Sequence, residues 1–505
     1  MIPPLRSLFA VAFLSLELVP IAALSGVRSG FAERDITPAL GMEVPGGYGK
    51  AYAKRIHDPC KIRACVFDDG THAVALVGLD GLGVPRSVVL EARTRIAKEC
   101  ALKPDAIMVG ASHSHSSGPA IGVMPGEYDH ASDLVRDLAY NKSTCADAGY
   151  LAKVTTAIVE AVTAAYSTRA EVTLGFGVGH EAEVAFNRRI RMKNGMAVSH
   201  AGKGNPESVD FAGPTDPDVG VIGAWDPDGK LMGCVVNFAC HATTNGPWIT
   251  ANWPYYMERA IQGYFGPETK VVFLQGACGD ITQVNNLDPL ANPEGDAWAQ
   301  FVGGRIGAEA VKTLLGMSQT RTAEVPIESR TKIWSIPRRK PAPERVQAAL
   351  ELASKPEKDA GLDWVWAKET LMLDALLAKW PSVEAEVQAI QVGPVACLSV
   401  PAEYFCRFGL EMKKESGFPI TFPVELANGC VGYVPTLEAF SETTGGGYET
   451  RLTSYSNLEI TAGDQFRDAA VALAHQLKPA ALPVRPPAPP FQAPWSYGNT
   501  PPQVR

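Results

Sequence analysis

Two histidines lie close together in the stretch ASHSHSSGP, which covers residues 111–119. His113 and His115 are two positions apart in a chain of 505 residues that contains nine histidines. The apolar run DAIMVG before them predicts a strand, and the Ser, Ser, Gly and Pro after them predict a loop. Because residues i and i+2 of a strand point to the same face, this spacing would direct both imidazoles into one pocket. Neutral imidazole binds transition metals and is a general base near neutral pH. Histidines at a polar strand end also bond to water or main chain, so both interpretations stay open.

Further side chains of the same chemical kind follow other predicted strands. His241 comes directly after the apolar run in CVVNFACHATTN, and Glu403 follows the strand in LSVPAEYF, in a helix predicted to begin at Pro401. Tyr433 lies in LANGCVGYVPT and Tyr448 in GGGYET. Functional sites gather at such strand ends, where loops meet a rigid scaffold. For Glu403 alone, a carboxylate that is stabilised by a helix N-terminus is an equal interpretation.

The elements that must position these residues alternate between strands and helices without a strict βαβ order. IRACVF and HAVALVGLD around DDG predict a hairpin, and residues 342–354 and 363–379 predict two helices. This pattern favours an α/β fold, with α+β as the alternative, that has mixed sheets and flanking helices. We predict one large domain over residues 26–480, followed by a Pro-rich tail over residues 481–505.

The first 25 residues have the pattern of a secretory signal peptide. Arg6 precedes an apolar run, and Ala23 and Ser25 are small residues at the −3 and −1 positions of a cleavage site. The sequence therefore predicts a secreted or periplasmic protein. Glu17 lies inside the apolar run and leaves an uncleaved membrane anchor as the alternative.

Charge and cysteine content exclude some classes of protein. The chain has 46 basic and 54 acidic residues, a formal net charge of −8, which argues against a nucleic-acid-binding protein with its concentrated basic surface. The ten cysteines include no Cys-x-x-Cys pair, so a thiolate zinc cluster is not expected. Disulfides and small buried apolar side chains both remain open for these cysteines, and the strand-like surroundings of several favour the second.

Eight stretches occur in an order that resembles the neutral ceramidase family. They are GFAERDITPALGMEVPGGYG, VGLDGLG, GASHSHSSGP, FNRRI, NFACHATT, FLQGACGDIT, SVPAEYF and ANGCVGYV. The resemblance extends from about Gly30 to about Tyr448. It implies a zinc amidohydrolase that cleaves the amide of ceramide, or of a related N-acyl lipid, to a fatty acid and an amine. It also implies a lipid or N-acyl amide as partner and peripheral contact with a membrane.

The resemblance further implies a role for each candidate residue. Four zinc ligands would be His113, His241, Glu403 and Tyr433. Residues around the substrate would be His115 for proton transfer, Arg188 and Tyr448 as donors to an oxyanion, and Thr282 where a serine is usual. Asp80 would hold a ligand imidazole through its other N–H.

Three departures from the family pattern leave the substrate open. GDITQVNN stands where GDVSPN is usual, VPAE where VPGE is usual, and the Pro-rich tail where an immunoglobulin-like domain is expected. The alternatives are an amidase for a smaller polar N-acyl compound and an inactive metal-binding scaffold. The intact set of ligand-type residues argues against a scaffold. A serine hydrolase is not expected because no Gly-x-Ser-x-Gly elbow is present.

Overall fold

The computed structural model describes residues 26–244, 248–290, 295–495, 497–498 and 500–505, with backbone only at 359 and 360. The predicted signal peptide lies outside these residues. Among the helices described, none combines the length and the apolar character that a membrane crossing requires.

The described residues form strands and helices that are numbered here in chain order. The strands are β1 (Arg28–Asp35), β2 (Lys61–Asp68), β3 (Ala73–Leu79), β4 (Ile107–Ala111), β5 (Ala170–Glu171), β6 (Thr173–His180), β7 (Phe186–Asn187), β8 (Arg189–Met192), β9 (Ala197–Ser199), β10 (Ser208–Phe211), β11 (Asp218–Trp225), β12 (Leu231–Phe238), β13 (Lys270–Gln275), β14 (Ile281–Thr282), β15 (Ile327–Pro337), β16 (Ser382–Val392), β17 (Val395–Ser399), β18 (Glu403–Tyr404), β19 (Ile420–Val424) and β20 (Tyr433–Val434). The α-helices are α1 (Arg86–Glu99), α2 (Asp133–Tyr140), α3 (Ala148–Ser167), α4 (Trp253–Phe265), α5 (Asp296–Gly316), α6 (Pro343–Ala353), α7 (Glu357–Lys379), α8 (Cys406–Glu415) and α9 (Ala462–Ala474).

Three larger sheets carry the fold, and each mixes parallel and antiparallel pairs. The first has the order β4-β3-β2-β1-β5, the second β13-β12-β11-β6 and the third β15-β16-β17-β19. The parallel pairs are β3 with β4, β12 with β13 and β17 with β19. Shorter sheets are β10-β8-β9, β14-β7 and β18-β20. The predicted α/β class with mixed sheets and flanking helices is confirmed.

The first and second sheets pack face to face, and helices cover their outer faces. In β2, Cys65 and Phe67 point into the core between the sheets, while Ile62 points outward to α1 and α3. Helices α4 and α5 cover the second sheet, and α8 and α9 pack on the third. The sheets approach so closely at Gly78 that an added Cβ would lie 2.5 Å from the carbonyl oxygen of Phe273.

Several local predictions are confirmed and two need correction. The predicted hairpin is β2–β3, and α6 matches the helix predicted over 342–354. Helix α7 begins at Glu357, ahead of the predicted start, and is interrupted at Gly361, where φ is 56°. The helix predicted from Pro401 was wrong: α8 begins at Cys406. Residues before it pair instead with a distant strand, which local sequence does not reveal.

All ten cysteines lie in the described residues and are free thiols in the structure. Seven are buried, and Cys100, Cys145 and Cys430 are partly exposed. This arrangement agrees with the interpretation that most of them are small buried apolar side chains.

Candidate metal centre

His113 lies two residues beyond the end of β4, in an unusual backbone conformation. Its φ of 61° is in the left-handed region, which histidine adopts more readily than most residues. The side chain is fully buried, and Nδ1 lies 2.9 Å from the carbonyl oxygen of Leu82, to which it donates. His115 follows with Nδ1 3.3 Å from the carbonyl oxygen of Gly46. Both imidazoles reach one pocket, as the spacing predicted, but a turn beyond the end of the strand brings them there and not strand alternation.

His241 reaches the same place from the end of β12. Its buried ring has Nδ1 2.9 Å from the carbonyl oxygen of Cys278 and donates to it. The Cys278 peptide is fixed in turn, because its N–H donates to the Glu425 carboxylate at 2.8 Å. The same Glu425 oxygen accepts the N–H of Tyr404 at 2.8 Å. Main-chain carbonyls thus occupy Nδ1 of both buried histidines and leave Nε2 as the atom that can bind a proton or a metal.

Glu403 is brought to the histidines by the two-residue pairing of β18 with β20. Glu403 lies opposite Tyr433 in this parallel pair, and its N–H donates to the carbonyl of Gly432 at 3.0 Å. Gly432 has a φ of 82°, and an added Cβ there would lie 1.8 Å from the carbonyl oxygen of Tyr455. The Tyr455 hydroxyl donates to Oε1 of Glu403 at 2.6 Å.

Four ligand-type atoms converge at this point. Nε2 of His113 lies 3.0 Å from Nε2 of His241 and 3.2 Å from Nε2 of His115. Oε2 of Glu403 lies 3.1 Å from Nε2 of His113 and 3.4 Å from Nε2 of His241. That oxygen is buried and has no hydrogen-bond partner. Two zinc–ligand bonds of about 2.0–2.1 Å at a tetrahedral angle would place their ligand atoms about 3.3 Å apart, so the donor set fits a metal ion.

Burial and mutual charge set the protonation of the cluster. Burial would lower the pKa of His113, but the Glu403 carboxylate outweighs it and raises the pKa above its usual value. Burial would raise the pKa of Glu403, yet His113 and His241 hold it well below its usual value. Burial and the charge on Arg188 hold the pKa of His241 far below 6.5, and burial with His113 lowers the pKa of His115 to about 3. Without metal, one proton on His113 balances Glu403, and a metal ion would displace it.

Arg188 closes the side of the cluster next to His241. All of its nitrogens are engaged: Nη1 lies 2.9 Å from Nε2 of His241, Nε donates to Glu449 at 2.8 Å, and Nη2 donates to the carbonyl of Gly279 at 2.7 Å. The guanidinium carbon lies 5.3 Å and 5.0 Å from the ring centres of Tyr433 and Tyr448. The buried ion pair with Glu449 therefore fixes a cation beside the metal-binding atoms.

Tyr433 and Tyr448 form a pair of hydroxyls near this cation. Their oxygens are 3.3 Å apart. Burial raises the pKa of Tyr433 well above its usual value and that of Tyr448 to about 12. Both phenols consequently keep their protons at neutral pH and can donate hydrogen bonds.

A cavity of about 590 Å³ opens directly above these groups. Its base includes His115, Glu403, Tyr433, Tyr448 and Tyr455. Its walls are mostly apolar and include Leu82, Ile121, Val123, Met124, Met372 and Leu376, while Glu127, Arg338 and Glu369 add charge. The volume and mainly apolar lining are typical of a small-molecule site.

Comparison with known proteins finds solved structures that share this fold. No protein-family model and no curated protein sequence matches the chain. A ceramidase structure described as complexed with C2 matches with a TM-score of 0.67 at 18% identity, over 92% of this chain and 77% of that one. A neutral ceramidase from Pseudomonas aeruginosa matches with a TM-score of 0.65 at 18% identity, over 92% and 76%. The chain has the fold of a neutral ceramidase. The resemblance predicted from the sequence motifs is thereby confirmed at the level of fold.

Two of the residues predicted from the ceramidase resemblance lie away from the ligand atoms. Asp80 accepts hydrogen bonds from the N–H of Lys61 at 2.8 Å and from Arg63 at 2.7 Å. Because carbonyls already occupy Nδ1 of His113 and His241, the expectation that Asp80 holds a ligand imidazole was wrong. Thr282 is buried, with its hydroxyl 3.4 Å from the side-chain oxygen of Gln283, and is not among the cavity-lining residues described.

Sequence reasoning missed four residues that hold the candidate metal centre together. These are Tyr455, Glu449, Glu425 and Cys278. Each contacts a predicted site residue, or the main chain that fixes one, from a distant part of the sequence. Cys278 and Glu449 lie in stretches that the sequence analysis had selected, FLQGACGDIT and GGGYET, but neither residue was assigned a role. No local periodicity marks Tyr455 or Glu425.

Proposed function

We propose that the protein is a zinc-dependent amidohydrolase that cleaves the amide bond of ceramide or a related N-acyl lipid to a fatty acid and an amine. The convergence of imidazole nitrogens and one Glu403 oxygen, which accepts no hydrogen bond from outside this cluster, at the base of the cavity carries this proposal. The ceramidase fold supports it, because the two matched structures described above are ceramidases.

Four side chains would hold the metal ion, namely His113, His241, Glu403 and Tyr433. When bound, zinc would supply a Lewis acid and an activated water near neutral pH. The main-chain carbonyls on Nδ1 of both histidines keep their Nε2 atoms directed at one point. The centre is thus built to bind without rearranging its histidines.

Arg188 and Tyr448 would stabilise the negative charge that develops on the substrate carbonyl oxygen. Without metal, Nη1 of Arg188 lies within hydrogen-bond distance of Nε2 of His241, at 2.9 Å. When that nitrogen serves as a ligand, the N–H of Arg188 is released and can donate to the substrate. Tyr448 keeps its proton because burial raises its pKa to about 12. Preorganised donors of this kind typically contribute about 10²–10³-fold in kcat.

His115 would move protons between the attacking water and the departing amine. A neutral imidazole can accept the proton released by the water, and the proton on His113 that helps to lower the pKa of His115 would be absent once a metal ion is bound. Nε2 lies 3.2 Å from that of His113 and therefore beside the reacting centre. Amide cleavage then needs the proton to pass to the amine nitrogen, which His115 can deliver.

The apolar wall of the cavity favours a substrate with a long acyl chain. Ile121, Met124, Met372 and Leu376 line it. Each methylene buried there is worth about 0.8 kcal/mol. We expect kcat/KM to rise steeply through a series of N-acyl substrates from acetyl to palmitoyl with one fixed amine, until the cavity is filled. A flat or falling series would contradict the lipid assignment.

A smaller polar N-acyl compound is the second candidate because of two charged residues on the wall. Glu127 and Arg338 both line the cavity, and neither forms an ion pair within 4.0 Å in the described part of the chain. The guanidinium of Arg338 donates to Asn457 at 2.6 Å instead. Unpaired charge beside an apolar chain is unfavourable. If the polar candidate is correct, Arg338→Met will lower kcat/KM for a short acyl substrate with a terminal carboxylate and leave that for the matched methyl-ended substrate unchanged. If the protein binds zinc but turns over none of these substrates, the inactive metal-binding scaffold is the remaining interpretation.

A further inference from the structure

The two oxygens of Glu403 have different surroundings. Oε1 accepts the hydroxyl of Tyr455 at 2.6 Å, which is a short and well-formed bond. Oε2 has no hydrogen bond and faces Nε2 of His113 and of His241. A carboxylate with two free oxygens can bind a metal through one or both of them, so this asymmetry decides how Glu403 can act as a ligand.

We propose that Tyr455 is a positioning residue that holds Glu403 as a ligand through Oε2 alone. A phenol has one O–H to donate, and here Oε1 receives it. That bond ties up Oε1 and aims Oε2 at the two imidazoles. The inference rests on the proposed metal centre and assigns to it a residue that the sequence motifs did not indicate.

The surroundings of Tyr455 fix its ring from several sides. Its hydroxyl also lies 3.4 Å from Sγ of Cys430, and its ring packs edge-on against Tyr433 with the ring centres 5.9 Å apart. Its main chain is so close to Gly432 that no side chain would fit there. Ser454, one residue earlier, donates to Glu369 on α7 at 2.5 Å. A side chain that is fixed in this way can hold a ligand in one orientation at little entropic cost.

The test is Tyr455→Phe, which keeps the ring and removes only the hydroxyl. Tyr404→Phe is the control, because Tyr404 is a fully buried tyrosine that adjoins Glu403 and donates to the carbonyl of Gly463 at 2.5 Å, away from the ligand atoms. Zinc affinity is measured by competition with a chromophoric chelator. We expect Tyr455→Phe to lose about 10–100-fold in affinity and the control to stay near wild type.

A second measurement reads the coordination itself. Co²⁺ replaces Zn²⁺, and its visible absorption weakens when the coordination number rises. We expect weaker absorption per bound Co²⁺ in Tyr455→Phe, because Oε1 becomes free to bind, and an unchanged spectrum in Tyr404→Phe. The spectrum refers only to bound Co²⁺, so partial loss of folded protein does not hide the effect.

Two results would overturn the inference. One is an unchanged affinity and Co²⁺ spectrum in Tyr455→Phe, and the other is an equal affinity loss in both variants, which would show a general structural effect. Failure of the proposed function looks different, because the wild-type protein itself would then bind no Zn²⁺ or Co²⁺ in either measurement.

Discussion

Two buried polar clusters lie at either end of the short segment 80–82, and they are built in opposite ways. In the paired cluster, which consists of Arg63, Asp80 and Glu258, every nitrogen of the guanidinium donates to a carboxylate, at 2.5–3.1 Å. In the metal-centre cluster, which consists of His113, His115, His241 and Glu403, imidazole nitrogens face one another and one carboxylate oxygen accepts no hydrogen bond. The carbonyl of Leu82 holds His113, so the segment supports both clusters.

This difference separates structural from functional polar groups. A buried cluster whose hydrogen bonds are complete needs nothing further and contributes to the integrity of the fold. A buried cluster with unused donor atoms directed at one point remains incomplete until it binds a proton or a metal. Changes in the two clusters should therefore affect different measurements, stability in one case and metal binding with catalysis in the other.

The largest expected effect comes from the ligands. Alanine at His113 or at His241 removes one imidazole from the metal-centre cluster, so we expect both bound zinc and amidase activity to disappear. Elemental analysis and turnover of an N-acyl substrate measure these two quantities. Retention of zinc in both variants would show that the metal lies elsewhere.

His115 should behave differently from its neighbours. Because we assign it to proton transfer, His115→Ala should keep most of the zinc and lose about 10²–10⁴-fold in kcat. Zinc content and kcat are measured on the same preparation. A zinc loss equal to that of the two ligand variants would show that His115 is a third histidine ligand, which its Nε2 position also allows.

A substitution in the paired cluster should lower the stability of the fold. Arg63→Met leaves Asp80 and Glu258 buried without their cation, and breaking such a pair costs about 3–5 kcal/mol. Urea unfolding measures the loss, and the zinc content of the folded fraction should be unchanged. The control is Arg305→Met, because Arg305 is 37% exposed and its partner Glu183 is 73% exposed, so water screens these pairs and their loss should cost about 1 kcal/mol or less. An equal loss of unfolding free energy in the two variants would contradict the structural role that we assign to the buried paired cluster.

A smaller effect concerns Glu425, which holds the peptide that fixes His241. Burial raises the pKa of its carboxyl from about 4.5 to about 8. Between these values the folded metal-free protein keeps a proton that the unfolded chain loses, so the contribution of Glu425 to stability is present below pH 4.5 and is lost as pH rises through 8. Unfolding free energy in chelator, measured from pH 5 to 8, should fall less steeply in Glu425→Gln than in wild type. Parallel curves would mean that Glu425 titrates normally.

The sequence predicted those parts that depend on local patterns. Alternating apolar residues and the turn around Gly70 predicted the β2–β3 hairpin, and an apolar run followed by a polar loop located His241 at the end of β12. The proposed ligand residues came from motifs that resemble the neutral ceramidases. The structure brings His113, His115, His241 and Glu403 together, and Tyr433 and Tyr448 line the cavity that opens above them.

The remaining features depend on contacts between distant parts of the chain. Helix α8 and strand β19 lie between Glu403 and Tyr433 in the sequence, and the pairing of these two residues replaces a helix that local sequence favoured. Asp80 has the charge of a residue that could orient an imidazole, but it forms its ion pair with Arg63 from the neighbouring strand instead. The hydroxyl of Tyr455 reaches Glu403 across 52 positions. Charge and spacing in sequence do not reveal which partner a buried group selects.

The metal content of the purified protein tests the central claim most directly. We predict about one zinc per chain, loss of N-acyl amidase activity when a chelator removes it, and recovery when Zn²⁺ is returned. Protein that contains no metal and keeps full activity in chelator would contradict the account.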